Sequence, residues 1–193
     1  MSKRYLYLIR HGQYQSNTTP PEQPDGGLTD VGKEQARLTA ERLSHLPINV
    51  IHYSTLHRTT ETAQYILPHF PGAEHRPTEL LWECIPNVPE GFEQYFTHIS
   101  AEHIAKSGVR AQEVFDTYFK PLPAGSEEHH EILVSHGNLI SYLVCRALEA
   151  PLDSWLKTDV NNCSLSKVTV TEQGFIKLAC HNDTGHLPVH LHT

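Results

Sequence analysis

Arg4-Tyr5-Leu6-Tyr7-Leu8-Ile9-Arg10-His11-Gly12 opens with a short run rich in aromatic and branched residues and stops abruptly at His-Gly. Such a run reads as a buried strand, Arg4 to Arg10. The same pattern returns at Glu131-Ile132-Leu133-Val134-Ser135-His136-Gly137. A third strand is expected over Asn49–Ser54 and a short one over Thr78–Leu81. Helices are expected between them. One runs from an N-cap at Thr29 to about His45, with Ala36, Ala40, Leu43 and Leu46 on one face. Others span Leu56–Pro68, the stretch marked by Ala111, Val114, Phe115, Tyr118 and Phe119, and the apolar run Leu139 to Leu148. Ser164–Thr171 and Phe175–Cys180, joined through Glu172-Gln173-Gly174, read as an antiparallel hairpin. Strand–helix alternation closing on a hairpin predicts a single α/β domain over residues 1–193. Its central sheet is mostly parallel, flanked by helices, with the hairpin at its C-terminal end.

The chain has 193 residues, 38% hydrophobic and 19% charged, a globular composition long enough for a sizeable core. Lys and Arg total 15 against 22 Asp and Glu, a net charge of -7 that argues against a nucleic-acid partner. No stretch approaches the roughly 20 apolar residues of a membrane span. The apolar run Tyr5 to Ile9 is too short for a signal peptide, so a cytoplasmic location is the default expectation. Cys84, Cys145, Cys163 and Cys180 stand apart from one another and read as free thiols. Histidine is unusually frequent, at 15. Those near the C-terminus (His181, His186, His190, His192) read as solvated.

Two histidines need a different account. In open α/β sheets ligands bind beyond the carboxyl ends of the strands. Two strands deliver a His-Gly pair to that edge, His11-Gly12 and His136-Gly137. Glycine would let the backbone approach a ligand closely, and the helix beginning near Asn138 would point N–H groups at the same region. Arg58, at the start of a helix just after a strand, joins Arg10 there. Each of these four could be a satisfied polar or surface residue. His11 and His136 could also ligate zinc, although no Asp, Glu or Cys stands beside them. Taken together, two arginines and two histidines at one edge favour an anion, with phosphate the first candidate. Spacing alone does not identify a reaction.

Leu8-Ile9-Arg10-His11-Gly12, with Asn17 following, resembles the Arg-His-Gly signature of the histidine phosphatase superfamily, the phosphoglycerate-mutase-like fold. The match continues in order through Leu28-Thr29-x-x-Gly32-x-x-Gln35-Ala36, Ser54-x-x-x-Arg58-x-x-x-Thr62-Ala63, Leu80-Leu81-Trp82-Glu83 and Val134-Ser135-His136-Gly137. Within the superfamily the chain looks closest to the mitochondrial phosphoglycerate-mutase-like Ser/Thr protein phosphatases. That similarity lies in His11-x-Gln13-Tyr14, Val144-Cys145-Arg146-Ala147-Leu148, Trp155-Leu156, Asn161-Asn162 and Asp183-Thr184-Gly185.

The resemblance implies a phosphomonoester hydrolase that works through a phosphohistidine on His11. Arg10, Arg58 and His136 would hold the phosphoryl oxygens, with Asn17 as a further donor. Glu83 would be the general acid, then the base for water. No metal and no cofactor are implied, since the arginines supply the positive charge. Two departures stand out. Gln13 follows His11-Gly12 where many members carry Glu, and Glu83 sits in Trp82-Glu83-Cys84-Ile85-Pro86 rather than the usual surroundings. Glu79, within the strand expected over Thr78–Leu81, is the fallback. Cys84 to Lys120 is too short and too poor in Arg and Lys to hold a bisphosphorylated ligand, so hydrolysis is favoured over mutase activity. The loops Gln13–Leu28 and Ile85–His98 lack clustered cations. They offer Pro20, Pro21, Pro86, Phe92, Tyr95 and Phe96, which suits a phosphorylated protein over a multiply charged metabolite. A small-molecule phosphatase and an inactive phosphate-binding module are the alternatives.

Overall fold

The computed structural model describes residues 2–15 and 26–193; Asn17 and most of the loop Gln13–Leu28 lie outside them. Among the described residues, six runs become strands. These are β1 (Lys3–Arg10), β2 (Val50–Ser54), β3 (Glu74–Thr78), β4 (His129–Ser135), β5 (Leu165–Thr171) and β6 (Ile176–Asp183). They form one sheet in the order β3-β2-β4-β1-β5-β6. The β3/β2, β2/β4 and β4/β1 pairs are parallel, and β1/β5 and β5/β6 are antiparallel. The expected α/β fold with a mostly parallel sheet and a C-terminal antiparallel pair is therefore present.

Period-two alternation divides the core between the two faces of the sheet. Tyr7 and Ile9 of β1 pack with Ile51, Ile132 and Val134 against Ala40, Leu43, Ala63 and Ile66. Those helical residues belong to α1 (Asp30–Leu43) and α2 (His57–Ile66). Leu6 and Leu8 face the other way, with Leu133, against Ala111, Val114, Leu139 and Leu143. These come from α3 (Ala101–Tyr118) and α4 (Gly137–Ala147). Thr29 caps α1 as its sequence predicts, its side chain accepting from Gly32 N.

Several expectations are corrected. The strand expected over Thr78–Leu81 lies earlier, at β3, and residues Glu79–Leu81 form a 3-10 turn instead. β3 is an edge strand that is almost wholly exposed and contains Pro77, so it has no apolar alternation to reveal it. The Thr78 side chain accepts from Leu80 N and starts the turn. α3 begins at Ala101, well before the apolar pattern does, because Ser100 caps it and its first turns are exposed. His181 and His186 are half-buried rather than solvated, bonded to the hydroxyls of Ser166 and Thr39. All four cysteines are free. No helix among the described residues is long and apolar enough to cross a membrane.

Gly12 and Gly32 have a packing reason. A Cβ on Gly12 would lie 2.6 Å from Gly32 O, and one on Gly32 would lie 2.0 Å from Gln13 O. The exit of β1 thus crosses the first turn of α1 backbone to backbone. Gly32→Ala forces the two apart, so a loss of about 2–4 kcal/mol is expected from urea denaturation. A loss below about 1 kcal/mol would show that the crossing is loose.

Candidate active site

β1 and β4 run parallel in direct register, Arg10 opposite Ser135. The residues that follow, His11 and His136, therefore leave the sheet side by side, and their ring centroids are 5.2 Å apart. β2 flanks β4 on its other side and ends at Ser54, whose Oγ lies 2.9 Å from His136 Nε2. Three residues later the chain turns into α2. Arg58, in the first turn of that helix, reaches between the two rings. Its Nε lies 3.2 Å from His11 Nε2, and its Nη2 lies 3.1 Å from His136 Nδ1.

A guanidinium can only donate, so both of those ring nitrogens act as acceptors. The shorter remaining bonds agree, and Asn162 Nδ2, 3.5 Å from His11 Nδ1, gives its shorter bond to His11 O. His11 Nδ1 donates to Gly12 O at 2.8 Å, and His136 Nε2 donates to Ser54 Oγ. The network assigns each tautomer, and it leaves His11 with an unprotonated Nε2 facing cations. Both imidazoles are buried. Burial, followed by the charges of Arg58 and Arg10, pushes the His11 pKa down to about 3 against the pull of the Gly12 carbonyl. Burial and then His11, Arg58 and Arg10 hold His136 well below the usual imidazole range. The place a metal shared by the two rings would take is filled by the Arg58 guanidinium.

Arg10 donates through Nη1 to Val160 O at 2.6 Å, while its buried Nε has no acceptor among the described residues. Glu83 and Arg10 line one cleft of about 240 Å³, together with Asn138, Ser141, Trp155 and Asn161. Glu83 Oε1 accepts from Cys84 N at 3.0 Å and Leu139 N at 3.3 Å. The N–H groups that open α4 thus serve this carboxylate, not a bare ligand site. Burial raises the Glu83 pKa, and those backbone donors and Arg58 offset it only in part. Glu79 is exposed and is not part of the cleft lining. Arg10, His11, Arg58 and His136 are brought together, with Glu83 beside them; Asn17 lies outside the described residues.

Other side chains carry no assigned role in the sequence and hold this centre in place. Asn162 Nδ2 donates to His11 O at 2.8 Å, and Gly12 N donates to Thr62 Oγ1 at 3.0 Å. Cys163 N donates to Arg10 O at 3.0 Å, from a left-handed backbone with φ 56°. The Tyr14 ring meets His11 edge-on and lies under the Arg58 guanidinium, 4.7 Å from its carbon. Ser54, Thr62, Tyr14 and Asn162 do fall inside the quoted motifs, which was the available signal. Their partners are remote in sequence, so spacing could not show them.

Residues 6–184 match the model of the histidine phosphatase superfamily (branch 1). The rat and human proteins named serine/threonine-protein phosphatase PGAM5, mitochondrial, are each 35% identical over 188 residues, or 96% of this chain. The chain spans 64% of the length of those two relatives. A crystal structure of phosphoglycerate mutase from Plasmodium falciparum superposes with a TM-score of 0.66 at 26% identity, covering 98% of this chain and 96% of that one. The names of the curated relatives overturn the expectation of a cytoplasmic location, since they are mitochondrial proteins.

A buried histidine held neutral makes folding sensitive to acid. Between pH 6.5 and about 3 the unfolded chain binds a proton at His11 that the folded chain does not. Stability therefore falls as pH falls through that window. Urea unfolding of the wild type should lose stability more steeply than His11→Gln from pH 6.5 downward. Parallel curves would mean that His11 is charged in the folded protein.

Proposed function

The chain belongs to the histidine phosphatase superfamily, and from that premise we propose that it hydrolyses phosphomonoesters through a phosphohistidine on His11, residues 1–193 forming one such domain. The observation that carries the proposal is the unprotonated Nε2 of His11, fixed by the Nδ1–H bond to Gly12 O and accepting from the Arg58 guanidinium. A nucleophile needs a lone pair at working pH, and a ring neutral down to about 3 has one.

The phosphoryl group enters beside Arg58, whose donors exchange imidazole nitrogen for phosphoryl oxygen. Arg10, whose buried Nε has no acceptor among the described residues, and His136 complete the grip. These groups are in place before charge spreads onto the oxygens, which is what lowers the barrier in phosphoryl transfer. Asn17 adds a neutral donor. His11 Nε2 bonds to phosphorus as the ester P–O bond breaks, and the departing oxygen takes the proton of Glu83. Water then attacks phosphorus and gives its proton to the Glu83 carboxylate. The P–N bond breaks, leaving inorganic phosphate and neutral His11. Burial raises the Glu83 pKa, which favours the protonated carboxyl that the first step uses. The chemistry needs no metal or cofactor.

The substrate we favour is a phosphorylated Ser or Thr side chain of a protein. Arg10 is the one Arg or Lys among the described residues lining the cleft beside Glu83, whose other members include Asn138, Ser141, Thr158 and Asn161. A second phosphate would find too little positive charge there. Phe92 and Tyr95 are exposed, at 41% and 63%, and offer apolar surface to a peptide. The names of the curated relatives point the same way.

Two outcomes test this. Brief reaction with labelled substrate, then denaturation, should leave an acid-labile, base-stable phosphoryl label on the wild type and none on His11→Ala. Label surviving on His11→Ala would remove the nucleophile assignment. In a panel at matched concentrations, catalytic efficiency should be higher on phosphoserine and phosphothreonine peptides than on bisphosphorylated sugars or glycerates. The reverse order would replace the protein substrate with a metabolite.

A further inference from the structure

Glu83 stands just past the 3-10 turn Glu79–Leu81, on a segment that belongs to no strand and no α-helix. Backbone carbonyls there have no ladder to join and need other donors. One turn of α3 supplies them. Arg110 Nη1 donates to Trp82 O at 2.5 Å and more weakly to Leu80 O at 3.4 Å, and its Nη2 donates to Glu83 O at 2.8 Å. From the same turn, buried Ser107 donates to Ile85 O at 2.7 Å. Gly108 presses against the next residue, since a Cβ there would lie 2.4 Å from Pro86 O.

The planar guanidinium fork is what makes this grip possible. It reaches three carbonyls that curl round a turn, where a lysine ammonium would satisfy fewer at less defined angles. α3 is itself fixed to the sheet through Ala111, Val114 and Tyr118. The height of Glu83 above the site is therefore referred to the sheet through Arg110. Arg110 is absent from the cleft lining and its guanidinium is committed to the three carbonyls; its charge also bears, after those of His11, Arg58 and Arg10, on His136.

We propose that Arg110 is a positioning residue for proton transfer, holding the Glu83 backbone so that its carboxyl meets the departing oxygen. The proposal rests on Glu83 being the general acid. Proton transfer needs an approach of about 2.6–3.2 Å, so a released turn would misplace the carboxyl. His11, Arg10 and Arg58, mounted on β1 and α2, would stay where they are.

The test uses the full chain with a phosphoserine peptide, whose alkoxide needs a proton to leave, and nitrophenyl phosphate, whose phenolate hardly does. Glu83→Gln should cost about 100-fold or more in kcat on the peptide and at least about tenfold less on nitrophenyl phosphate. Arg110→Met should show the same selectivity at smaller size, and Arg110→Lys should recover part of the loss. In the Glu83→Gln background, Arg110→Met should add less than about threefold on the peptide, because its effect passes through the missing acid. Equal losses on both substrates for Arg110→Met, or full multiplication with Glu83→Gln, would overturn the positioning role. Should Arg110→Met fail to fold, Arg110→Lys carries the same comparison, alone and combined with Glu83→Gln. If Glu83→Gln itself lost equally on both substrates, the acid assignment would fail first and take this proposal with it.

Discussion

One guanidinium between two buried imidazoles sets the terms for everything around it. Arg58 cannot accept a hydrogen bond, so His11 Nε2 and His136 Nδ1 must both carry lone pairs, and each ring's proton is forced to its far nitrogen. The fold then has to provide acceptors for those protons, and it does, in Gly12 O and Ser54 Oγ. Burial, with the guanidinium charge added to it, keeps both rings neutral well below their ordinary pKa. A reactive lone pair and a place for negative oxygens are thus two results of one arrangement.

Strand order is what makes it possible. Insertion of β4 between β1 and β2 brings His11, His136 and Ser54 to adjacent positions on one edge, and α2 follows β2 closely enough to add Arg58. The exit of β1 is then pinned from several directions, by Thr62, Asn162, Cys163 and the Gly12–Gly32 crossing. Glu83 is mounted separately, on a turn held by α3 with its carboxylate at the start of α4. The proposed nucleophile and the proposed acid therefore rest on different parts of the framework.

The difference explains what could be read from the chain. β1, β4 and the helix-start position of Arg58 are local patterns, so the sheet edge and its four charged or imidazole groups were legible. β3 was not, because an exposed edge strand of Glu, His, Arg and Pro77 has nothing to alternate. Gly12 was legible as a place of close approach, but its packing against α1 was not, since only the fold shows α1 crossing there. Asn162 and Arg110 act on backbone atoms 151 and 27–30 residues away, and no spacing rule links such partners. Glu83 lay between these cases, chosen by resemblance and placed in the cleft by contacts the sequence does not display. The cellular compartment was not legible at all.

The protonation state of His11 is the claim on which the chemistry turns, and nitrogen-15 NMR of histidine-labelled protein reads it directly. The account predicts that the His11 signals show a protonated Nδ1 and an unprotonated Nε2, unchanged as the pH is lowered from 8 to about 5. An imidazolium pattern for His11 appearing near pH 6, or a proton found on Nε2, would contradict it.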